Sequence, residues 1–179
     1  MKIIGSISGQ NLADAWTIAK AIQLSTEVHS TYAPKRVESW FRFGSNLQSL
    51  PAGKGAIFLA PEPHVRITGL GDRLFPDWHS LLVCGGNQPK TSTTISWHRD
   101  HGHFHGLSLM LNLGEAIYKE QPDRYSNLAV ETRLTDGLIV LIDTKLLHCA
   151  EQLSTARYNF TFRKIKQHYL PKITAEIAA

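Results

Sequence analysis

Long hydrophobic runs are absent from this sequence of 179 residues. The longest apolar run in its later part, residues 138–142, is far shorter than the roughly 20 residues that a membrane-spanning helix needs. The apolar stretch after Lys2 contains only Ile3 and Ile4 before glycine and serine follow, which is too short for the core of a signal peptide. We therefore expect a soluble protein.

Cysteine is scarce, with only Cys84 and Cys149 in the chain. These residues lack the dense spacing of a disulfide framework or a zinc ribbon, which excludes a small cross-linked secreted domain. Free thiols are typical of a reducing compartment, so the expected location is cytoplasmic. The sequence also has no Gly-x-Ser-x-Gly motif and no glycine-rich phosphate loop, which argues against the hydrolases and nucleotidases that need them.

Charge of one sign is in modest excess, because 19 Lys and Arg against 15 Asp and Glu give a net charge of +4. The basic residues are scattered and form no run of the kind that marks a nucleic-acid-binding arm. A positive charge still favours a polyanionic partner, since each phosphate contact adds affinity. A nucleic acid is therefore retained as a candidate partner.

The chain has one helical pattern followed by many short strands. Apolar residues at helical spacing follow Asn11, a good N-cap residue, and predict an amphipathic helix to about Leu24. Short apolar runs separated by turn residues predict strands at 56–60, 80–84, 93–100, 107–113, 138–142 and 157–165. This pattern indicates a mainly β (α+β) protein, an antiparallel sandwich or jelly roll.

The length fits a single domain over residues 1–179, without a linker or an internal repeat. We expect residues 56–166 to form the jelly-roll core and residues 1–55 to form an N-terminal extension of helix and loop. Residues 31–54 are rich in proline, glycine, serine and basic residues, which predicts a loop-rich segment and a candidate lid.

Two histidines and an aspartate have the spacing of a metal site. In the predicted strand 93–100, His98 and Asp100 point to the same face with Cα atoms about 6.6 Å apart, so both can ligate one ion. His148 follows the predicted strand 138–142 by a short loop and is the candidate third ligand. Two histidines and one carboxylate form the facial triad that leaves positions on iron(II) open for a cosubstrate and dioxygen.

The last predicted strand has a polar face with two arginines. Its alternation places Arg157, Asn159, Thr161 and Arg163 on one face and three aromatic residues on the other. The arginines lie about 20 Å apart along the strand, which suits two separate carboxylates. 2-Oxoglutarate has two, one that chelates a metal and one free to accept a bidentate arginine. The alternative interpretation is an exposed face whose basic residues keep the protein soluble.

The order and spacing of these motifs resemble the AlkB-like dioxygenases. The segment RYNFTFR resembles the family's Arg-x-Asn-x-x-x-Arg strand, ISWHRD resembles the stretch with its first two metal ligands, and LSLMLNLGEAIY resembles the strand and turn that follow. The distal histidine lies 50 residues after the first. PKRVESWFRFG is a fainter match to the start of the family's catalytic region, and the similarity covers roughly residues 34–164.

The resemblance implies a double-stranded β-helix jelly roll with the activity of an iron(II)- and 2-oxoglutarate-dependent dioxygenase. It implies that His98, Asp100 and His148 bind iron(II), and that Arg157 pairs with the far carboxylate of 2-oxoglutarate. Oxidative decarboxylation of this cosubstrate would accompany hydroxylation or oxidative demethylation of the substrate.

The resemblance also assigns residues around the rest of the cosubstrate. It places Asn159 and Arg163 near the metal-chelating end of 2-oxoglutarate, and Asn87 at the position of a cosubstrate-binding Asn. The family's Tyr two positions later is Pro89 here. One cosubstrate hydrogen bond is therefore expected to be lost or replaced.

The residues after the His-x-Asp motif depart from the DNA-repair members of the family. Those members have acidic residues that help to recognise the damaged base, whereas His101, Gly102, His103, Phe104 and His105 follow here. Oxidation of a nucleic-acid base is the leading hypothesis from the resemblance. The departure favours an alternative, the hydroxylation of a small molecule or a protein side chain, and a third alternative is a non-catalytic jelly-roll binding module.

The histidine-rich run itself has several interpretations. His101, His103 and His105 could form a second metal site or a cupin-type His-x-His motif, although Glu115 is too distant to complete the latter. The favoured interpretation is a loop at the mouth of the site, in which Phe104 offers a flat surface to a substrate.

Overall fold

The computed structural model describes residues 1–25, 31–46, 56–123, 125–126 and 128–170. Within these residues the chain forms twelve strands, two α-helices and a 3-10 helix at Gln167–Tyr169. In chain order the strands and α-helices are β1 (Lys2–Ser6), α1 (Gly9–Ala21), β2 (Val37–Phe41), β3 (Phe43–Asn46), β4 (Ala56–Leu59), α2 (Val65–Leu74), β5 (Ser80–Asn87), β6 (Ile95–His98), β7 (Phe104–Leu113), β8 (Ala116–Glu120), β9 (Val130–Leu134), β10 (Leu138–Asp143), β11 (His148–Gln152) and β12 (Ala156–Ile165).

The strands form two main antiparallel sheets and one small one. The major sheet has six strands in the order β1-β10-β7-β12-β5-β2, and the minor sheet has four in the order β6-β11-β8-β9. Strands β3 and β4 pair as a separate two-stranded sheet. This arrangement confirms the mainly β (α+β) jelly roll that the sequence predicts.

One face of the major sheet carries the first hydrophobic core. Strand β12 alternates, so Phe160 and Phe162 are fully buried on this face while the neighbouring polar residues point to the other. Apolar residues of α1 and α2, among them Ala19 and Leu70, pack against the same cluster. The two helices therefore cover the outer face of the major sheet.

The opposite face of the major sheet packs on the minor sheet. Met110, Val140 and Ile142 of the major sheet form a second apolar cluster with Tyr118 and Ala150 of the minor sheet. The polar face of β12 looks into this same interlayer space. The fold therefore encloses charged groups between two sheets, where burial makes unpaired charges costly.

The helices differ from the prediction in two respects. Helix α1 begins at Gly9 after Ser8, so Asn11 lies inside the first turn and is not the N-cap. Helix α2 was not predicted, because two of its ten residues are the poor helix formers Gly69 and Gly71. Gly71 fits here because its Cα approaches the rings of Phe162 and Trp78 closely.

The strands also depart from the predicted pattern. Segment 31–54 was predicted to be loop-rich, but its described part contains β2 and β3, and β2 pairs with β5 at the edge of the major sheet. Residues 47–54 of that segment lie outside the described residues. Strand β1, paired with β10, and strands β8, β9 and β11 were likewise missed, because each has only five residues with little apolar alternation.

No helix in the described part of the chain is long and apolar enough to cross a bilayer. Cys84 and Cys149 are both free thiols, as the sequence predicts.

Candidate metal and cosubstrate site

His98, Asp100 and His148 come together at one end of the minor sheet. His98 is the last residue of β6 and lies opposite His148, the first residue of β11. The Nε2 atoms of His98 and His148 lie 3.6 Å and 3.8 Å from Oδ1 of Asp100. One ligand atom from each of the three side chains fits within a 4.8 Å span, so the group could hold a single metal ion.

Both histidine rings are oriented by backbone carbonyls. Nδ1 of His98 donates to the carbonyl of Ser96 at 2.8 Å, and Nδ1 of His148 donates to the carbonyl of Leu146 at 2.9 Å. A carbonyl can only accept, so each ring carries a proton on Nδ1, and its Nε2 is the nitrogen that faces Asp100. Burial lowers the pKa of His148, which keeps that ring neutral near pH 7. Neutral imidazoles with free Nε2 atoms are metal donors.

Asp100 lies close to His98 as predicted, but its backbone is not part of strand β6. Strand β6 ends at His98, and the backbone N–H of Asp100 donates to the carbonyl of Thr144 instead of to a neighbouring strand. Burial opposes ionisation of the carboxyl, but the positive charge of Arg163 is the largest opposing effect and helps to hold its pKa well below its usual range. Asp100 is therefore an anionic oxygen donor beside two imidazole nitrogens.

The connection between β10 and β11 positions two of the candidate ligands. Fully buried Thr144 accepts the backbone N–H of Asp100 through its carbonyl, and its hydroxyl donates to the carbonyl of Gly106 at 3.1 Å. Two residues later, Leu146 holds His148. One short segment thus orients two of the three candidate ligands, and sequence reasoning missed it because the contacts are made by backbone carbonyls, which any residue has.

Arg157 is the second charged feature of the interior. Its side chain is 1% exposed, its Nε donates to Oδ1 of Asn112 at 2.8 Å, and its Nη1 donates to Oγ1 of Thr93 at 2.7 Å. In the described part of the chain no carboxylate pairs with it. Burial lowers its pKa to about 10, so it remains a cation at neutral pH. A buried cation with only neutral partners is suited to an anionic ligand.

The two side chains that accept from Arg157, Thr93 and Asn112, are themselves fixed by further hydrogen bonds. Gln152 accepts both the backbone N–H and the hydroxyl of Thr93 at 2.8 Å and 3.1 Å, and its amide nitrogen donates to three carbonyls, including Gly86. Asn112 donates to the carbonyls of Gly114 and Thr135. Sequence reasoning missed these supports, although Asn112 is a polar residue inside the apolar run of β7, a signal that could have marked it.

Arg163 and Asn159 share the inner face of β12 with Arg157. Nε of Arg163 donates to Oδ2 of Asp100 at 3.0 Å, and its Nη1 is buried without a hydrogen-bond partner in the described structure. Asn159 lies between the two arginines and accepts from the hydroxyl of Thr161 at 3.4 Å. The structure therefore places Arg163 beside Asp100 of the candidate metal site, whereas Arg157 lies further from this site along β12.

Asn87 is not brought together with these residues. It is exposed at the end of β5, where it lies opposite Ala156 while its neighbour Gly86 lies opposite Arg157. Alternation along the strand places Asn87 on the other face from Arg157. The predicted cosubstrate contact through Asn87 is therefore not supported by its position.

The three loop histidines have three different environments. His103 is fully buried, with neither ring nitrogen hydrogen-bonded in the described structure, and His105 is exposed. His101 is half-buried, and its ring lies 4.2 Å from that of His103. Within the described residues they form no metal-binding group of three, since the one such group is His98, Asp100 and His148. Phe104 is buried against Trp40 with ring centroids 6.2 Å apart, so it does not offer an open flat surface.

Comparison with solved structures shows the fold. The structure of OsALKBH1 matches with a TM-score of 0.67 at 11% identity, over 90% of this chain and 95% of that one. An oxidoreductase of the 2OG-Fe(II) oxygenase family from Burkholderia pseudomallei matches with a TM-score of 0.61 at 12% identity, over 88% and 79% of the two chains. No family model matches the sequence. No curated protein matches it either.

Proposed function

We propose that this protein is an iron(II)- and 2-oxoglutarate-dependent oxygenase. The observation that carries the proposal is the geometry of the triad, in which the Nε2 atoms of two imidazoles face one oxygen of an ionised carboxylate at 3.6 and 3.8 Å. The folds of its structural neighbours, one of which is described as a 2OG-Fe(II) oxygenase, agree with this function.

The donor set fits iron(II). Two imidazoles and one carboxylate are the ligands of the facial triad, and three protein ligands leave further positions on an octahedral ion. His98 and His148 would supply the imidazoles, and Oδ1 of Asp100 would supply the carboxylate oxygen. Because Oδ2 is already held by Arg163, only Oδ1 is free to turn toward the ion.

The buried arginines fit a dicarboxylate. We assign Arg157 to the far carboxylate of 2-oxoglutarate, because it is a fully enclosed cation whose present partners, Asn112 and Thr93, are neutral. We assign Arg163, with its unpartnered Nη1 beside Asp100, to the end that chelates the metal. Asn159 lies between them on the same face of β12.

When bound, iron(II) and 2-oxoglutarate would supply activation of dioxygen, with oxidative decarboxylation of the cosubstrate to succinate and CO2 and insertion of oxygen into a substrate C–H bond. The residues of the chain bind and orient the reactants for this chemistry. Ser96 and Leu146 keep the histidine rings in the donor tautomer, and Arg163 keeps Asp100 ionised. The two sheets exclude water from the charged interior.

For the substrate, the motif order and the likeness to OsALKBH1 favour an AlkB-like enzyme that oxidises a nucleic-acid base. The second candidate is a hydroxylase of a small molecule or a protein side chain. It is favoured by the loop after Asp100, where His101, Gly102 and His103 stand in place of the acidic residues expected of a base-repair enzyme.

The test is formation of succinate from 2-oxoglutarate by the purified protein with iron(II) and dioxygen. We expect slow formation without substrate, loss of at least 100-fold in His98→Ala, Asp100→Ala and His148→Ala, and wild-type rates in His168→Ala, which removes an exposed histidine. Wild-type rates in any of the three ligand variants would overturn the assignment of that ligand. A panel of methylated oligonucleotides and small molecules then separates the two substrate classes by the increase in succinate.

A further inference from the structure

The loop that follows Asp100 is surrounded by positive charge. Lys145 lies in the connection that leads to His148, and its Nζ donates to the carbonyl of His101 at 3.1 Å. Lys166 lies on the other side of the loop, where its backbone N–H donates to the carbonyl of His103. Arg99, which is exposed, donates from Nε to the carbonyl of Lys145 at 3.1 Å.

These three cations have no acidic partners in the described part of the chain. Lys145, Lys166 and Arg99 take part in none of its ion pairs, although seven of its other lysines and arginines pair with acids. One carboxylate next to them is Asp143, whose Oδ1 accepts the backbone N–H of Lys145 at 2.9 Å. The other is Asp100, which already pairs with Arg163. Four positive charges therefore lie near two negative charges on this side of the triad.

The lysines are close enough to repel each other. Burial lowers the pKa of Lys145, and the charges of Lys166 and Arg163 lower it further, against the opposite effects of Asp100 and Asp143. A half-buried lysine that is both desolvated and crowded by other cations is stabilised by an anion. Nearby, both ring nitrogens of buried His103 and the Nη1 atom of Arg163 also lack hydrogen-bond partners in the described structure.

We propose that Lys145, Lys166 and Arg99 bind a phosphate monoester on the substrate, beside the metal triad. The inference rests on the proposed function, because the loop faces a substrate only if the triad is the metal site. A phosphate monoester carries about −1.5 to −2 charges at neutral pH, which balances the excess of two positive charges better than a carboxylate or a phosphodiester does. Lysines bind phosphate as point charges and need no planar partner.

The experiment is calorimetric binding under anaerobic conditions, with iron(II) and saturating 2-oxoglutarate present so that the cosubstrate's own anion sites are filled. The probes are phenyl phosphate, benzoate and phenol. We expect phenyl phosphate to bind at least 10-fold more tightly than benzoate or phenol, and the double variant Lys145→Met/Lys166→Met to lose at least 10-fold of that affinity. The matched control is Lys2→Met/Lys20→Met, which removes two exposed lysines and should retain the wild-type affinity.

Equal binding of the three probes by the wild-type protein would overturn the proposal, as would wild-type affinity for phenyl phosphate in the Lys145→Met/Lys166→Met variant. If that variant does not fold, the single variant Lys166→Met should bind phenyl phosphate at least 3-fold more weakly than the wild-type protein. This variant should fold, because the side chain of Lys166 makes no hydrogen bond in the described structure.

Oligonucleotides with and without a 5′-phosphate show the source of the group. Binding of the unphosphorylated strand as tightly as phenyl phosphate would contradict a monoester site.

The failure of this inference is distinguishable from failure of the proposed function. If 2-oxoglutarate binds in the presence of iron(II) but phenyl phosphate shows no preference, only the phosphate site is wrong. If 2-oxoglutarate itself does not bind, the proposed function is wrong.

Discussion

Arg163 and Asp100 form a directed ion pair in which Nε of the arginine donates to Oδ2 of the carboxylate at 3.0 Å. Both groups are largely buried, and the other carboxylate oxygen, Oδ1, faces the two histidines. The pair therefore settles which oxygen of Asp100 is available to a metal ion. It also explains why the pKa of Asp100 lies below its usual range despite burial.

Removal of this pair should weaken metal binding. In Arg163→Met, Asp100 loses its orienting partner and its pKa rises, so we expect iron(II) affinity to fall by about 10–100-fold at pH 7. The loss should increase toward lower pH, because protons then compete for the carboxylate. Anaerobic iron(II) titrations between pH 5.5 and 7.5 measure both effects.

The matched control for that experiment is Arg133→Met, since Arg133 is an exposed residue of β9 that pairs with Glu115. It should bind iron(II) like the wild-type protein. Arg163→Lys should recover part of the affinity. An Arg163→Met protein with wild-type affinity at every pH would show that Asp100 does not need Arg163.

A new internal carboxylate should compete with the cosubstrate. Asn112 accepts from Arg157 at 2.8 Å, so Asn112→Asp would place a negative charge against that cation, with loss of the hydrogen bonds that Asn112 donates to Gly114 and Thr135. We expect the KM for 2-oxoglutarate to rise at least 10-fold, because the far carboxylate would meet an arginine that is already paired. Measurement of succinate formation against 2-oxoglutarate concentration checks this.

The same charge change at an exposed position, Asn11→Asp in α1, should leave this KM unchanged. Melting temperatures of the two variants establish that both are folded. An unchanged KM in a folded Asn112→Asp protein would mean that Arg157 does not bind the cosubstrate.

Helix α2 offers a test of the packing with its own control. A Cβ at Gly71 would lie 2.6 Å from atoms of both Phe162 and Trp78, so Gly71→Ala should reduce the free energy of unfolding by about 1–3 kcal/mol. At Gly69, in the same helix, a Cβ would meet nothing within 4 Å. Gly69→Ala should stabilise the protein by up to about 1 kcal/mol through helix propensity. Urea unfolding measures both, and equal effects would contradict the close packing of α2 on β12.

Buried His103 should make stability depend on pH. Burial lowers its pKa from 6.5 to about 4, and the positive charges of His101, Lys145 and Arg163 add to this effect. Between pH 6.5 and about 4 the unfolded chain therefore binds a proton at His103 that the folded protein does not bind. The free energy of unfolding falls as the pH drops through this range. Since one pKa unit corresponds to about 1.4 kcal/mol, we expect His103 to account for a loss of about 2–4 kcal/mol between pH 7 and pH 4 in metal-free protein.

Urea unfolding of His103→Leu at several pH values tests this, because the variant should show a smaller decrease than the wild-type protein. His105→Leu, which changes an exposed histidine in the same loop, should retain the wild-type decrease. The same pH dependence in all three proteins would contradict a buried neutral His103.

Side chains that recur at a fixed spacing could be predicted from the sequence. The residues that hold those side chains in place could not. His98 and Asp100 are two residues apart, and the alternation of β12 separates its arginines from its aromatic residues, so both features were visible locally. Thr144 and Leu146 act through backbone carbonyls, which carry no residue-specific signal. Gln152 reaches Thr93 across 59 positions, a contact that only the tertiary fold creates.

The same reasoning applies to the fold. The long strands were predictable, β7 from its apolar run and β12 from the alternation of polar and aromatic residues. Strand β11 was not, because its five residues include only two apolar ones and it is stabilised by pairing with both β6 and β8. Helix α2 was not predicted because Gly71, which lets the helix approach Phe162, also weakens its helical pattern.

The most direct test of the account is the calorimetric affinity of 2-oxoglutarate for wild-type protein, measured anaerobically with and without iron(II). Because one end of the cosubstrate would chelate the metal and the other would pair with Arg157, we predict binding at least 10-fold tighter with iron(II) than without it. The enhancement should disappear in His148→Ala, which lacks a ligand. Equal affinity with and without iron(II) in the wild-type protein would contradict a shared metal and cosubstrate site.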